Sequence, residues 1–343
     1  MVAEPWIIPK TTDIITSIFR LRLRPLVYAL TIFAVIVATF VLHVRRDSIF
    51  ACTAKLYDRN SYLGYCGGTG YGDYDHGAFW FGLEPEARQH AAAADVLFLG
   101  NSRMQFGFSA PALGRWFSTN GLSYYLLGFT HYENETFAGP LLRSLHPRAR
   151  AYVIDVDDFF SDHATDPGND VMYGLDTRAR YQTKHTWQTV HRIVCTWQPS
   201  LCGDKVAFFR QRDTGEWRLS WNMASNRLFE QTDSPVDYAS VARMKAIAEK
   251  FVSDLDVDRS CVFLTYVPAA NDRATASALA QALGFDLISP PLEGLQSFDG
   301  VHLEPDSAER FGRAFLEISG PRIQRCLSVD RRLVATRNAE FVP

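Results

Sequence analysis

The sequence predicts an α/β fold: a three-layer arrangement with a parallel sheet, helices on both of its faces, and one membrane-spanning helix ahead of it. Three observations carry this expectation. Apolar runs of strand length (Val96–Leu99, Ser123–Leu127, Ala151–Val156, Cys261–Val267) alternate with helical patterns, the order that lays parallel strands side by side. Leu26 to Val44 holds no Asp, Glu, Lys or Arg, and about 20 such residues cross a bilayer. Two short motifs, Gly100-Asn101-Ser102 and Asp299-Gly300-Val301-His302, fall where strands end, the edge at which open α/β sheets bind ligands.

In chain order, residues 1–24 read as a short cytoplasmic segment with a helical stretch from Thr12 to Arg24. Ile14, Ile15, Ile18, Phe19 and Leu21 give it an apolar side; it either lies on an anionic inner leaflet or is simply the basic flank of the span. Residues 25–44 are the transmembrane helix, closed by Arg20, Arg22 and Arg24 before it and Arg45 and Arg46 after it. No small-residue cleavage site follows, so an uncleaved anchor is expected rather than a signal peptide. Lys10 and the three arginines outnumber the two beyond the span, which puts the N-terminus in the cytoplasm and the rest outside it.

Residues 45–92 are expected to be a linker and lead-in, because Asp47 to Tyr74 is rich in Gly, Tyr, Asn and Asp. The body spans residues 93–325. After the first strand come a helix from Pro111, the second strand, a helix Glu135–Ser144 and the third strand. Beyond an interruption at 161–234 come the helix Tyr238–Leu255, the strand at Cys261, the helix Ala274–Leu283, a short strand Phe285–Ile288 and a closing helix from Pro305 to Ile318. Residues 326–343 read as a tail. Within the interruption, Val206–Arg212 and Trp217–Trp221 flank Asp213-Thr-Gly-Glu216, a hairpin signal. Its Trp187, Trp197, Trp217 and Trp221 either stack on sugar rings or pack the insertion onto the sheet.

Composition narrows the function. With 47% hydrophobic and 13% aromatic residues the chain is a packed body, not a disordered one. A net charge of -3 gives no basic face for nucleic acid. All six cysteines lie beyond the span, which suits an oxidising compartment. Cys195 and Cys202, around a turn at Gln198-Pro199-Ser200, are the favoured bridge; Cys52 with Cys66 is a second, and Cys261 is expected to be a buried thiol. No Cys-x-x-Cys or paired Cys/His spacing points to a zinc site, and no cofactor is expected.

The chemistry lies in the two motifs. A serine between a strand and a helix can be a nucleophile. An Asp and a His three residues apart on a late loop can supply its base and the carboxylate that orients and charge-balances the base. The expected roles are Ser102 nucleophile, His302 base and Asp299 orienting acid.

With these blocks the sequence resembles the SGNH/GDSL hydrolase superfamily, over roughly Asp95 to Gly320 with the insertion unmatched. That family has Gly-Asp-Ser after its first strand and Asp-x-x-His late in the chain. The resemblance implies an oxyanion hole from the backbone N–H groups of Ser102 and Gly128. It also implies an Asn donor after the third strand, where this chain has Asp155-Val-Asp157-Asp158 instead. An ionised Asp157 cannot donate and is expected to bind substrate hydroxyls; Asn134 and Asn271 are further polar candidates, with Trp217 and Trp221 as sugar-binding ones. With its anchor the chain looks like extracytoplasmic acyltransferases and esterases of bacterial surface polymers, such as teichoic-acid alanylation and alginate or cellulose acetylation proteins. That implies the bacterial inner membrane with a periplasmic body, a polysaccharide substrate and a multi-span acyl-exporting partner. The alternative is a catalytically silent glycan-binding or scaffold subunit of an envelope complex.

Overall fold

The computed structural model describes residues 11–220, 227–228, 235–268 and 273–339. Helix α1 (Thr11–Asp47) carries the apolar run. Its part from Pro25 to Asp47 is 23 residues long with mean hydropathy 2.4 and none of it buried, long and apolar enough to cross a membrane.

The next segment departs from expectation. Residues 47–93 form strands β1 (Ser61–Cys66) and β2 (Gly72–Asp73) and helices α2 (Asp75–Trp80) and α3 (Pro85–Ala93), with Tyr62, Tyr71 and Tyr74 buried. The glycines that suggest a loop are here for close approach: a Cβ on Gly64 would sit 2.4 Å from the Phe208 ring.

The body follows the predicted alternation. It runs β3 (Val96–Gly100), α4 (Ser102–Phe108), α5 (Pro111–Thr119), β4 (Tyr124–Gly128), α6 (Glu135–Leu145) and β5 (Ala151–Asp155). The interruption contributes α7 (Asp166–Tyr173), α8 (Thr177–Trp197), β6 (Ala207–Gln211), β7 (Trp217–Leu219) and β8 (Arg227–Leu228). The chain closes with α9 (Tyr238–Ser253), β9 (Val262–Thr265), α10 (Arg273–Ala282), β10 (Leu287–Ile288), β11 (Gln296–Ser297) and α11 (Pro305–Ala339). Helix α11 passes straight through Ile318 and the boundary at residue 326, so that part of the expected tail is helix.

Five strands pair in parallel in the order β10-β9-β5-β3-β4. Alternate residues face opposite ways, as the period of two requires. Val96, Phe98, Tyr124, Leu126 and Phe263 share one apolar cluster with α4, α5 and α11. Leu97, Leu99, Tyr125, Ile154 and Leu264 share another with α2, α3, α6, α9 and α10.

The insertion is not a separate lobe. Its hairpin β6–β7 joins β1 and β2 in a second, antiparallel sheet ordered β2-β1-β6-β7. Arg210 of β6 ties this sheet to the parallel one. Fully buried, it pairs with the buried Asp75 and donates to the carbonyls of Leu126, Gly215 and Gly128.

A second buried cation lies close by. His76 bonds Asp73 at 3.0 Å and Glu133 at 2.7 Å. Burial alone would lower its pKa, but the two carboxylates outweigh burial and raise it to about 10. This clamps α2 to the loop after β4.

Three disulfides close the frame: Cys52–Cys66, Cys195–Cys202 and Cys261–Cys326. The expected buried thiol at Cys261 is therefore corrected. It starts the strand run, but its sulfur turns to α11 and fastens that helix across 65 residues of sequence.

Closing a loop of that length restricts the unfolded chain by about 4 kcal/mol. Replacing Cys261 and Cys326 together by Ser should lower denaturant stability by roughly that amount, while peptide mapping of the unreduced native chain recovers all three pairs. Free Cys261 in the native chain would contradict this. His76 gives a pH test. Its folded pKa is raised, so its contribution to stability is complete below about pH 6.5 and is lost as pH rises through about 10. The stability difference between wild type and His76→Gln should shrink over that window; a pH-independent difference would refute a charged His76.

Candidate active site

The site is built at the C-terminal ends of the parallel strands. Gly100 ends β3, and Asn101 caps α4 by accepting from the Arg103 N–H at 2.8 Å, worth about 1 kcal/mol. Its amide also donates to the Asp157 carbonyl at 3.2 Å. That second bond explains Asn where the family resemblance implies Asp, because a carboxylate could not donate. The cap sets Ser102 as the first helical residue, at the end of β3 between β4 and β5.

Ser102 Oγ lies 2.8 Å from His302 Nε2, although the two are 200 residues apart in sequence. His302 Nδ1 lies 2.7 Å from Asp299 Oδ2. An Nδ1–H donated to Asp299 leaves Nε2 free to accept the serine proton. The loop between them is built to hold this line. Asp299 Oδ1 accepts from the N–H groups of Val301 at 2.9 Å and His302 at 2.8 Å. Gly300 turns through φ 94° and donates to Ser297 Oγ. Leu303 is buried and bridges back to Ser297, and Glu304 starts α11 by accepting from the Asp306 and Ser307 N–H groups. Strand β11, which leads into the loop, pairs with β8 at the end of the insertion. The imidazole stacks on Phe298 at 5.5 Å and meets the edge of Phe106 at 4.8 Å.

Burial pushes the Asp299 carboxyl up, but its bond and charge contact with His302 and the two backbone donors prevail and bring it to about 2. It therefore stays ionised at any working pH. The acids after β5 behave differently. Burial raises Asp155 well above the carboxylate range, with Asp157 adding to the rise. Burial also raises Asp157 to about 6, although Arg103 pulls against it. Arg103 forms an ion pair with Asp157, and their side chains are 15% and 1% exposed.

The remaining expected residues have varied places. Gly128 ends β4 opposite Gly100 in register, and a Cβ there would meet Met104 Cε at 2.6 Å and the Asn101 carbonyl at 2.8 Å. Its carbonyl is held by Gln105 and Arg210. Asn134 caps α6 and donates to the His163 carbonyl, so its amide is engaged structurally. Trp217 is buried, stacked on Phe208 at 3.9 Å and edge-on to Phe106; its faces are taken up in packing, the second of the two readings. Trp221 and Asn271 lie outside the described residues. Sequence reading passes over Arg103, Gln105, Phe106 and Phe298. Only Arg103 carries a signal, as the residue next to Ser102.

A cavity of about 430 Å³ lies past the end of β5, lined by Tyr132, Asn134, Asp157, Asp158, Arg243 and Tyr266 among others. Ser102, Asp299 and His302 do not line it, and it meets their surroundings at Asp157, the ion-pair partner of Arg103. A larger, more apolar one of about 910 Å³ lies at the exit of α1 between Phe40, Val44, Tyr71 and Trp187 and includes none of the Ser-His-Asp residues. Among the described residues the one His/Cys group compact enough for a metal is His191, Cys195 and Cys202, and its two sulfurs are bonded to each other.

The Ser102–His302–Asp299 line can thus activate a hydroxyl nucleophile. Comparison of the chain with protein-family models, with curated proteins and with solved structures finds no match.

Proposed function

We propose that this chain is a membrane-anchored serine acyltransferase or esterase, SGNH-like in its three-layer domain, acting on O-acyl groups of a bacterial surface or secreted polysaccharide. The observation that carries the proposal is the hydrogen-bonded line Asp299–His302–Ser102 at the C-terminal edge of the parallel sheet. His302 takes the Ser102 proton as Oγ attacks an acyl carbon, then returns it to the departing alcohol, leaving acyl-Ser102. A water molecule or a sugar hydroxyl, deprotonated by the same imidazole, releases the acyl group. Water gives an esterase and a sugar gives a transferase.

The cavity past β5, bordered by Asp157 with Tyr, Ser and Thr groups, is the place proposed for a hydroxyl-rich acceptor. Trp217 is too buried to serve as a sugar platform. The apolar helix supports anchoring at the bacterial inner membrane, and the disulfides support a periplasmic body. A transferase there has no acyl-CoA pool, so a multi-span partner would deliver the acyl group; an esterase would need none.

Purified full-length Ser102→Ala or His302→Ala should lose roughly 10⁴-fold or more in turnover of a chromogenic acetyl ester and of acetylated oligosaccharide. Asp299→Asn should lose less, because nucleophile and base remain in place. Wild-type turnover by Ser102→Ala would overturn the proposal, and absence of turnover by the wild-type chain itself would leave a silent scaffold as the better reading.

A further inference from the structure

Attack of Ser102 on an acyl carbon places a negative charge on the former carbonyl oxygen. The backbone N–H groups of Ser102 and Gly128 are the expected donors to it. We propose that the Arg103 guanidinium is a third, charged donor to this oxyanion. The inference rests on the acyl-Ser102 reading and deepens it.

Topology and the Asp157 contact put the Arg103 side chain on the β5 side of Ser102. Strand β3 runs between β4 and β5, so Ser102 stands between the end of β4, where Gly128 lies, and the end of β5, where Asp157 follows. Arg103, next in the chain, sends its side chain to the β5 side and is fixed there by Asp157. The Cζ atom lies 5.8 Å from the centre of the Tyr132 ring.

The guanidinium has donor capacity left over. Its Nε–H is buried and has no acceptor among the described residues. Leaving a charged donor dry and unpaired is costly, and such a group calls for a physical reason. A substrate oxygen that bears charge only during reaction is one. The surroundings share this character. His131 and Tyr132 after β4 and Asp158 after β5 all have left-handed backbone, at φ 60°, 55° and 51°, strain of the kind that gathers at functional sites.

The arrangement also accounts for the missing Asn donor. Asp157 stands where that donor is implied and cannot donate while ionised. By pairing with Arg103 it instead holds a stronger donor at the same strand end. In the step itself, the Ser102 Oγ–acyl bond forms as its proton passes to His302 Nε2. The carbonyl π pair moves onto oxygen, where Arg103 and the two backbone N–H groups hold it. Collapse restores the carbonyl and expels the alkoxide, which takes the proton from His302. Arg103 gains and loses no proton.

The test uses the full-length chain with a fluorophosphonate probe, whose phosphoryl oxygen gains similar charge on attack, alongside a small acetyl ester. Arg103→Met should slow labelling of Ser102 and lower kcat by roughly 10²–10³-fold per folded molecule, with KM little changed. It should also lower the melting temperature, because Asp157 is left buried without its partner. Guanidinium ion at millimolar concentration should restore part of the rate to Arg103→Ala, and sodium chloride should not. Arg103→Lys, which keeps the charge and loses the planar fork, should fall between; it gives the readout if Arg103→Met does not fold. Labelling of either variant at the wild-type rate, or loss only in proportion to unfolded protein, would overturn the role of Arg103 alone. Absence of Ser102 labelling in the wild type would overturn the acyl reading and this inference with it.

Discussion

Arg210 is the contact on which the rest of the structure depends. It rises from the antiparallel sheet and spends its donors on the Asp75 carboxylate and the carbonyls of Leu126, Gly128 and Gly215. The first two of those carbonyls belong to β4, the edge strand of the parallel sheet. Gln105 of α4 donates to the same two carbonyls, Leu126 and Gly128. The end of β4 is thus gripped from below by the second sheet and from above by the helix that starts at Ser102. Taking an arginine and an aspartate fully out of water is repaid only when nearly every polar atom is satisfied. Removing one partner of such a pair typically costs about 3–5 kcal/mol.

That grip explains why two sheets and a long insertion surround so small a site. Ser102 and His302 come from opposite ends of the body, and their 2.8 Å contact survives only if α4, β11 and the loop after it hold still. The helix is fixed through Gln105 to β4. The loop is fixed by its own Asp299 bonds, by the β11–β8 pair and by Leu303 in the core. Phe106 links the two sides, touching His302 on one edge and Trp217 of the hairpin on another. The tryptophan that sequence suggests for sugar stacking therefore acts on the site indirectly, as a wall behind the imidazole. Helix α1, long and apolar enough to cross a membrane, would hold this assembly near one.

How much of this was legible in the sequence follows from the range of each interaction. The strands at Val96, Tyr124, Ala151 and Val262 were readable because buried parallel strands are continuous apolar runs. The motifs at Ser102 and at Asp299 and His302 were readable because their partners are local or lie at strand ends. The β6–β7 hairpin showed in its turn, and Cys195–Cys202 in its short span. The second sheet was hidden: Cys66 pairs with Ala207, far along the chain, and Gly64 resembles a loop glycine until the Phe208 ring lies against it. Cys261 looked like a core thiol because its partner sits on a helix 65 residues away. Arg210 gave no signal at all, since one arginine in a hairpin reads as exposed until the sheet above it is placed.

The central claim is that Ser102 carries the acyl group. The most direct test is to quench the full-length chain in acid during turnover of an activated acetyl ester and map its peptides. The account predicts acetyl on the peptide bearing Ser102 in the wild type and none there in His302→Ala. Turnover with Ser102 unmodified, or acetyl spread alike over lysines in both proteins, would contradict it.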